Sequence, residues 1–268
     1  MSFDKSHTHW TPPSLCSLMS PAMLGIYGRA PRYAGDAAAF DGVNDHIDSL
    51  TALSTAVDGR EILLSAWFRF NSTAGDGVYQ RIMHSTAGYF SLSKSTANNF
   101  SLDMSGSTGV FLGNWLSTGA YTSTSGWIHF MAAVDGANSS GGFWINGATD
   151  LIAASTIIPG STPLLNRAHW AIGADVDGAQ RAYVDMFDFY FNMSTDGGGG
   201  AAMLSKFYSG GRPISLGPTG ALPTGADPIM FLHLDDGQDV TNFPNNLGSG
   251  SSFTIVGALT PSTSSPTD

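Results

Sequence analysis

Residues 127–136 read WIHFMAAVDG and indicate the fold class of this chain. Apolar residues occupy every second position of this stretch, the period that a β-strand with one face in a core produces. An Asp-Gly pair ends the strand, and residues 143–147, FWING, add a second apolar run that closes with Asn-Gly, the favoured hairpin turn. The two segments therefore predict an antiparallel hairpin. The alternating core positions are Ile128, Phe130, Ala132 and Val134.

Further short apolar segments ending in turn residues lie on either side of this hairpin. They are FDGVNDHI (40–47), LSAWFRF (64–70), WAIG (170–173) and VDMFDFY (184–190). No helix-length pattern separates them, so we expect antiparallel rather than parallel sheets. We assign five apolar side chains to the core: Phe40, Phe68, Phe130, Ile145 and Phe187.

The composition agrees with a β-rich chain. Of 268 residues, 42% are hydrophobic and only 12% are charged. Glu61 is the single glutamate and there are three lysines, so residues that favour helices are scarce. The length fits one large β domain. One short helix is predicted at 201–208, where apolar residues have helical spacing, with Gly210 and Gly211 as its C-terminal cap.

The charge and the cysteine count exclude several classes of protein. A formal net charge of -10 argues against a nucleic-acid partner, because phosphates require Lys and Arg. Cys16 is the single cysteine, so no intrachain disulfide framework can form. Residues 1–10 lack a signal-peptide pattern, and the mildly apolar run 15–27 is too short to span a bilayer. We therefore expect no membrane insertion.

Residues 1–35 have no clear period and are interrupted by prolines. They are either a disordered tail or an arm that orders against a neighbour. The arm is the favoured alternative because many of its residues are too apolar for a linker, and it predicts an assembly, such as a homo-oligomer. These apolar residues are Trp10, Leu15, Leu18, Met19, Met23, Leu24, Ile26 and Tyr27.

In their order, these segments resemble the laminin-G-like branch of the concanavalin A-like lectin and glucanase superfamily. The resemblance covers residues 36–208 and consists of an F-D-G-x-N-D start, an S-A-W-F strand, a W-x-H strand ending in D-G, an I-N-G turn and an I-G strand end. It implies an all-β, two-sheet antiparallel jelly-roll sandwich with one short helix and an irregular N-terminal arm. The predicted domains are an arm (1–35), a sandwich (36–200) and a helix with a C-terminal extension that packs on the sandwich (201–268).

The segment from Lys206 to Leu259 resembles the C-terminal extension of laminin-G-like proteins encoded by tailed bacteriophages. This resemblance implies a structural protein of the virion, assembled in the host cytoplasm. Such a protein decorates the capsid or tail together with other virion proteins, and it has the potential to bind host-surface glycan. The alternative from another class is a bacterial carbohydrate-binding module or degenerate glucanase.

The sequence predicts no enzyme. Glycosidases of this fold use paired carboxylates, and glycoside hydrolysis needs two of them at a defined separation. Asp185 and Asp188 are the candidates, but three positions apart in a regular strand they lie on opposite faces. On that regular pattern Asp185 shares a face with Phe187 and Phe189.

A candidate glycan site lies at residues 114–121. Asn114 and Trp115 precede a loop of Ser, Thr and Gly that reaches Tyr121, and an exposed aromatic ring beside polar groups suits a sugar. The alternative, which we weigh more heavily, is that Trp115 packs in the core.

Calcium is the one candidate cofactor. Asn44 and Asp45 in one loop, and Asp175 and Asp177 in another, offer the hard oxygen ligands that calcium prefers. The resemblance adds that related proteins often bind calcium at a rim of the sandwich. The alternative is that D-x-D-G at 175–178 is an ordinary turn.

Overall fold

A computed structural model describes residues 36–56, 58–59, 61–106, 111–135, 140–152, 156–157, 165–193 and 200–267. The predicted arm, residues 1–35, lies outside these residues, so that hypothesis stays a prediction. The described part of the chain contains no helix long and apolar enough to cross a membrane.

Two antiparallel sheets make up most of the described structure. Sheet A runs, from edge to edge, β10 (Ala148–Thr149), β9 (Ser140–Ile145), β8 (Ile128–Asp135), β3 (Glu61–Phe70), β13 (Tyr183–Met193), β1 (Ala38–Asp41) and β18 (Thr260–Pro261), and β16 (Met230–Leu232) pairs with the second half of β13. Sheet B runs β11 (Thr156–Ile157), β7 (Phe111–Leu116), β6 (Phe100–Ser105), β5 (Phe90–Lys94), β4 (Gln80–Ser85), β12 (Trp170–Ile172), β2 (His46–Asp48) and β17 (Thr254–Val256). The predicted two-sheet architecture is confirmed.

The main core lies between the two sheets and is rich in aromatic side chains. Phe68 and Phe130 of sheet A pack against Phe100 of sheet B, with ring centroids 5.8 and 5.0 Å from its ring. The apolar positions predicted from the alternation of residues 64–70 and 127–136 all lie in this core. The hairpin predicted at Asn146-Gly147 is also present, with φ of 49° and 84° in its two-residue turn between β9 and β10.

A further layer covers the outer face of sheet A. Helix α1 (Gly200–Phe207) and the chain that follows it pack on residues such as Met131 and Tyr190, which point away from the main core. Ring centroids of Tyr190 and Phe207 lie 4.9 Å apart. Sheet A is therefore buried on both faces, as the nearly continuous apolar run of β13 requires.

The predicted faces of β13 are wrong beyond Phe187. The register with β3 shifts between Phe187 and Tyr190, and Asp188 there has a φ of 51°. Such a β-bulge reverses the side on which later residues point. Met186 and Phe189 consequently both lie in the main core, whereas Phe187 is buried in a separate cluster on the outer face with Trp67.

The residues after α1 form a small two-stranded sheet and edge strands instead of a simple helix cap. Gly210 and Gly211, with φ of 58° and 84°, form the turn of a hairpin between β14 (Tyr208–Ser209) and β15 (Arg212–Pro213). The predicted capping role of these glycines is wrong, because two consecutive positive φ values suit a tight hairpin. Two later strands, β16 and β17, both join the sheets of the sandwich.

One buried histidine in this layer predicts an acid-sensitive fold. His129 packs against the rings of Trp67 and Tyr208, and its Nε2 is 2.9 Å from Ser65 Oγ. Burial lowers the pKa of His129 from 6.5 to about 3. Below about pH 6 the unfolded chain therefore takes up a proton that the folded chain excludes, and the free energy of unfolding falls by about 1.4 kcal/mol per pH unit.

Denaturant unfolding of the wild type and of His129→Gln between about pH 6 and pH 4 tests this. As the pH falls, we expect the free energy of unfolding of the wild type to decrease more steeply than that of the variant. The two slopes should differ by the value for one proton, about 1.4 kcal/mol per pH unit, because the glutamine side chain of the variant cannot titrate. Parallel curves for the two proteins would contradict a neutral, proton-excluding His129.

Candidate functional site

The bulge of β13 places a carboxylate beneath a cavity. Phe189 to Phe191 pair with β16, and the chain leaves β16 at His233. The Asp188 Oδ1 and His233 Nδ1 atoms are 2.6 Å apart, and both side chains are nearly completely buried. The His233 ring stacks on Phe231 and meets Phe187 edge-on. His233 is therefore held in one orientation, with Nδ1 toward the sheet.

The other ring nitrogen of His233 faces an exposed carboxylate. Its Nε2 is 3.2 Å from Oδ1 of Asp235, whose side chain is 73% exposed. Burial disfavours the charged imidazole, but the hydrogen bonds and negative charges of Asp188 and Asp235 outweigh it and raise the pKa of His233 above 6.5. Gln238 Nε2 donates to Asp235 Oδ2 at 3.0 Å and fixes the second oxygen.

A short 3-10 helix, Val240–Asn242, forms a second wall of the cavity. Asp239 caps it, since its Oδ1 accepts a hydrogen bond from Thr241 N at 2.9 Å. Asn242 is the last residue of this helix, and its Oδ1 accepts a hydrogen bond from Asn245 Nδ2 at 3.2 Å. Leu247 follows and is tied to β16 through a bond from its N–H to the carbonyl oxygen of Phe231.

The cavity between these parts measures about 600 Å³. Most of its lining side chains are exposed and polar, and His233 lies at the base. Amide, hydroxyl and carboxylate groups converge there beside an apolar wall of proline and leucine, an arrangement that can hydrogen-bond a polyhydroxylated molecule and cover its C–H face. The lining residues are Ser215, Gly217, Pro218, His233, Asp235, Gln238, Asn242, Asn245 and Leu247.

The glycan site predicted from the sequence does not assemble on the surface. Trp115 is 1% exposed and packs in the main core, edge-on to Phe143, so the prediction that it offers an exposed platform is wrong. Asn114, its neighbour on β7, is exposed and donates to the Asp103 carboxylate. Tyr121 is half-buried against Phe100 and donates its hydroxyl to Asp150. Alternation along the strand separates the ring from the amide.

Three of the four residues predicted to bind calcium, Asn44, Asp45 and Asp175, have side chains that are hydrogen-bonded within the protein. Asp175 Oδ1 accepts hydrogen bonds from the N–H groups of Asp177 and Ala179 at 3.1 and 2.7 Å, the pattern of an Asx turn. Asp45 is buried and accepts from Ala258 N at 2.7 Å. The amide of Asn44, in its hydrogen-bonding orientation, lies 3.1 Å from carboxylate oxygens of Asp41 and Asp45. These contacts support the turn alternative.

Neither cavity nor loops offer a ready metal centre. Among the described residues, no three His, Cys, Asp or Glu side chains are grouped so that they could hold a metal ion.

Sequence reasoning missed the cavity. It assigned no role to His233. The available signal was the polar run that follows β16, Asp235 to Asn246, which has three aspartates, a glutamine and three asparagines in one short segment. Loops with such residues often carry function.

Comparison with known proteins shows similarity of fold only. No protein-family model matches the chain, and no curated protein matches it. The chain is similar to the heptameric SAP-like pentraxin from Limulus polyphemus, with a TM-score of 0.52 and 11% identity over 87% of this chain and 96% of the pentraxin.

It is also similar to a "putative carbohydrate binding protein" from Bacteroides ovatus, with a TM-score of 0.56 and 13% identity over 84% of this chain. The chain has the concanavalin A-like jelly-roll fold. This confirms the predicted concanavalin A-like fold class. The match spans 60% of the Bacteroides chain, less than two thirds of its length.

Proposed function

We propose that this protein is a non-enzymatic carbohydrate-binding protein and that the glycan binds in the cavity above His233. The proposal rests on the chemistry of the residues that line the cavity. The lining combines three side-chain amides, a hydroxyl and an exposed carboxylate with the apolar wall formed by Pro218 and Leu247. Sugars present hydroxyl groups around an apolar ring face, so both kinds of surface are needed in one site.

The likeness to the Bacteroides protein supports the proposal at the level of the fold. A concanavalin A-like sandwich supplies a rigid frame on which surface loops can build a site. Here the site lies outside the two sheets, in the layer that packs on sheet A. The proposal therefore depends on the lining residues of this chain.

The proposal of no enzymatic activity now rests on how each carboxylate is held. The sequence argument placed Asp185 and Asp188 on opposite faces, but the bulge puts both on the outer side of sheet A. Asp185 is bound by Arg69 Nε at 2.8 Å and by Asn71 Nδ2 at 2.8 Å. Asp188 is bound to His233. Each carboxylate thus has a separate structural partner and neither serves as the other's acid–base pair.

Two asparagines discriminate between the cavity and the site predicted from the sequence. We expect Asn242→Ala to weaken glycan binding by about tenfold or more, since it removes a hydrogen-bonding amide from the cavity. Asn114→Ala removes an exposed amide from β7 and is the matched control, with binding expected to stay within about twofold of the wild type.

The measurement is a glycan array followed by calorimetric titration of the best ligand with both variants. The absence of any glycan ligand, or a loss of affinity in Asn114→Ala but not in Asn242→Ala, would contradict binding in the cavity.

We propose in addition that the glycan-binding protein belongs to a bacteriophage particle. In that particle it forms a homo-oligomer and contacts other virion proteins. The particle is assembled in the host cytoplasm. The support is the sequence resemblance of residues 206–259, and host-surface glycan is a ligand that such a particle would meet. Imaging of purified particles with an antibody to this chain tests the placement, and unlabelled particles would refute it.

A further inference from the structure

Negatively charged side chains predominate around the cavity. The aspartate and the histidine are its titratable lining residues, and the lining formed by the described residues contains no lysine or arginine. His233 is already bound on its buried side by the Asp188 carboxylate. Asp235 is thus the charged group that an entering ligand meets.

Asp235 is held in a position to meet a cation. Its two oxygens are oriented by different partners, His233 Nε2 and Gln238 Nε2, and the backbone N–H of Gln238 donates to the Asp235 carbonyl oxygen. The side chain nevertheless remains largely exposed. A carboxylate oxygen accepts more than one hydrogen bond, and a charged donor makes a stronger bond than a neutral one.

From this geometry we propose that the cavity selects glycans that carry a free amine, with Asp235 as the specificity-determining residue. The inference rests on the proposed function and adds the chemical class of the ligand. A protonated amino sugar places its ammonium group on Asp235, while its hydroxyl groups reach the amides of Asn242 and Asn245. A neutral sugar makes only the second set of bonds. A uronic acid brings a second carboxylate to a lining without an opposing cation, and like charges repel.

The other charged groups in contact with the site do not reverse this preference. Asp188 adds a second negative charge beneath His233. Asp36, whose Oδ2 accepts from the N–H of Gly237, adds another carboxylate to the turn that carries Asp235. Both raise the negative potential around the mouth of the cavity and favour a cationic ligand.

Calorimetric titration with three oligosaccharides tests the preference: glucosamine oligomers, the same oligomers fully N-acetylated, and galacturonic acid oligomers. At about pH 6 the free amine is protonated. We expect the glucosamine oligomers to bind about tenfold more tightly than the N-acetylated ones, and the acidic oligomers to bind most weakly. Asp235→Asn should remove the advantage of the amine, so that the glucosamine oligomers and their N-acetylated forms bind this variant with similar affinities.

The matched control is Asp236→Asn, which makes the same charge change at the next residue, exposed and outside the lining. It should leave the amine preference intact. Equal losses in the two variants, or acidic oligomers that bind as tightly as the amino sugars, would overturn this inference while leaving glycan binding standing. A protein that binds none of these sugars and no other glycan would refute the proposed function together with it.

Discussion

Replacing Phe100 by alanine is expected to lower the free energy of unfolding by about 3–5 kcal/mol. Phe100 is fully buried at the centre of the main core, where its ring lies 5.0 to 5.8 Å from those of Phe68, Phe70, Tyr121 and Phe130. Alanine removes the aromatic contacts and leaves a cavity between two sheets that cannot close around it. Urea-induced unfolding followed by tryptophan fluorescence measures the change.

Phe100→Leu is the matched control, because it retains most of the apolar volume. We expect it to lose less than half as much stability as Phe100→Ala, roughly 1–2 kcal/mol. A loss below about 1 kcal/mol in Phe100→Ala would show that the two sheets do not pack through this ring.

Removing the carboxylate of Asp185 is expected to have a comparable effect, about 3–5 kcal/mol for Asp185→Ala. Asp185 is 1% exposed and accepts hydrogen bonds from Arg69, from Asn71 and from Ser262 Oγ at 2.8 Å. The guanidinium of Arg69 also donates to Thr263 Oγ1 at 2.9 Å. Without Asp185 a largely buried positive charge loses its counter-ion, and the Ser262 hydroxyl loses its hydrogen bond to β13.

A double variant distinguishes two contributions to the loss of stability in Asp185→Ala, the unpaired charge of Arg69 and the lost packing. Arg69→Met combined with Asp185→Leu removes both charges and keeps their bulk, so we expect it to recover more than half of the stability lost in Asp185→Ala. Asp236→Ala, at an exposed position, should change stability by less than about 0.5 kcal/mol. If Asp185→Ala behaved like Asp236→Ala in the same unfolding experiment, the ion pair would have no structural role.

The core-facing residues of β3 and β8 could be predicted because apolar side chains alternate along each strand without interruption. Leu64 to Phe70 and Ile128 to Val134 alternate regularly, and their core faces follow from the two-residue period of a strand. The pattern failed in β13, where all residues around Asp188 are apolar or acidic and nothing in the local sequence marks an extra residue. The bulge lies where β13 changes its partner on one side, from β1 up to Met186 to β16 from Phe189, while β3 pairs along the other side.

The sequence favoured a buried Trp115, which the structure confirms, but it did not exclude an exposed one. Asn114 and Trp115 are consecutive, so one must face the core and the other the solvent, and the adjacent Gly113 and Leu116 do not decide which. Pairing of β7 with β6 settles the choice, because Leu102 lies opposite Trp115 and Asp103 opposite Asn114. Lys94 shows the same limit: a lysine is normally exposed, yet here its Nζ is buried over the Phe70 ring and donates to the Gly75 carbonyl oxygen at 2.8 Å.

The sequence by itself determined that the chain forms short antiparallel strands with aromatic inner faces, because periodicity, Asx-Gly turns and the scarcity of glutamate and lysine are local properties that need no partner. Only the tertiary structure decided the candidate site. Asp188 and His233 are 45 residues apart in the chain, and they meet because β16 pairs with the second half of β13. Local physics governs which elements form, whereas the pairing of distant strands governs which polar groups meet at the surface.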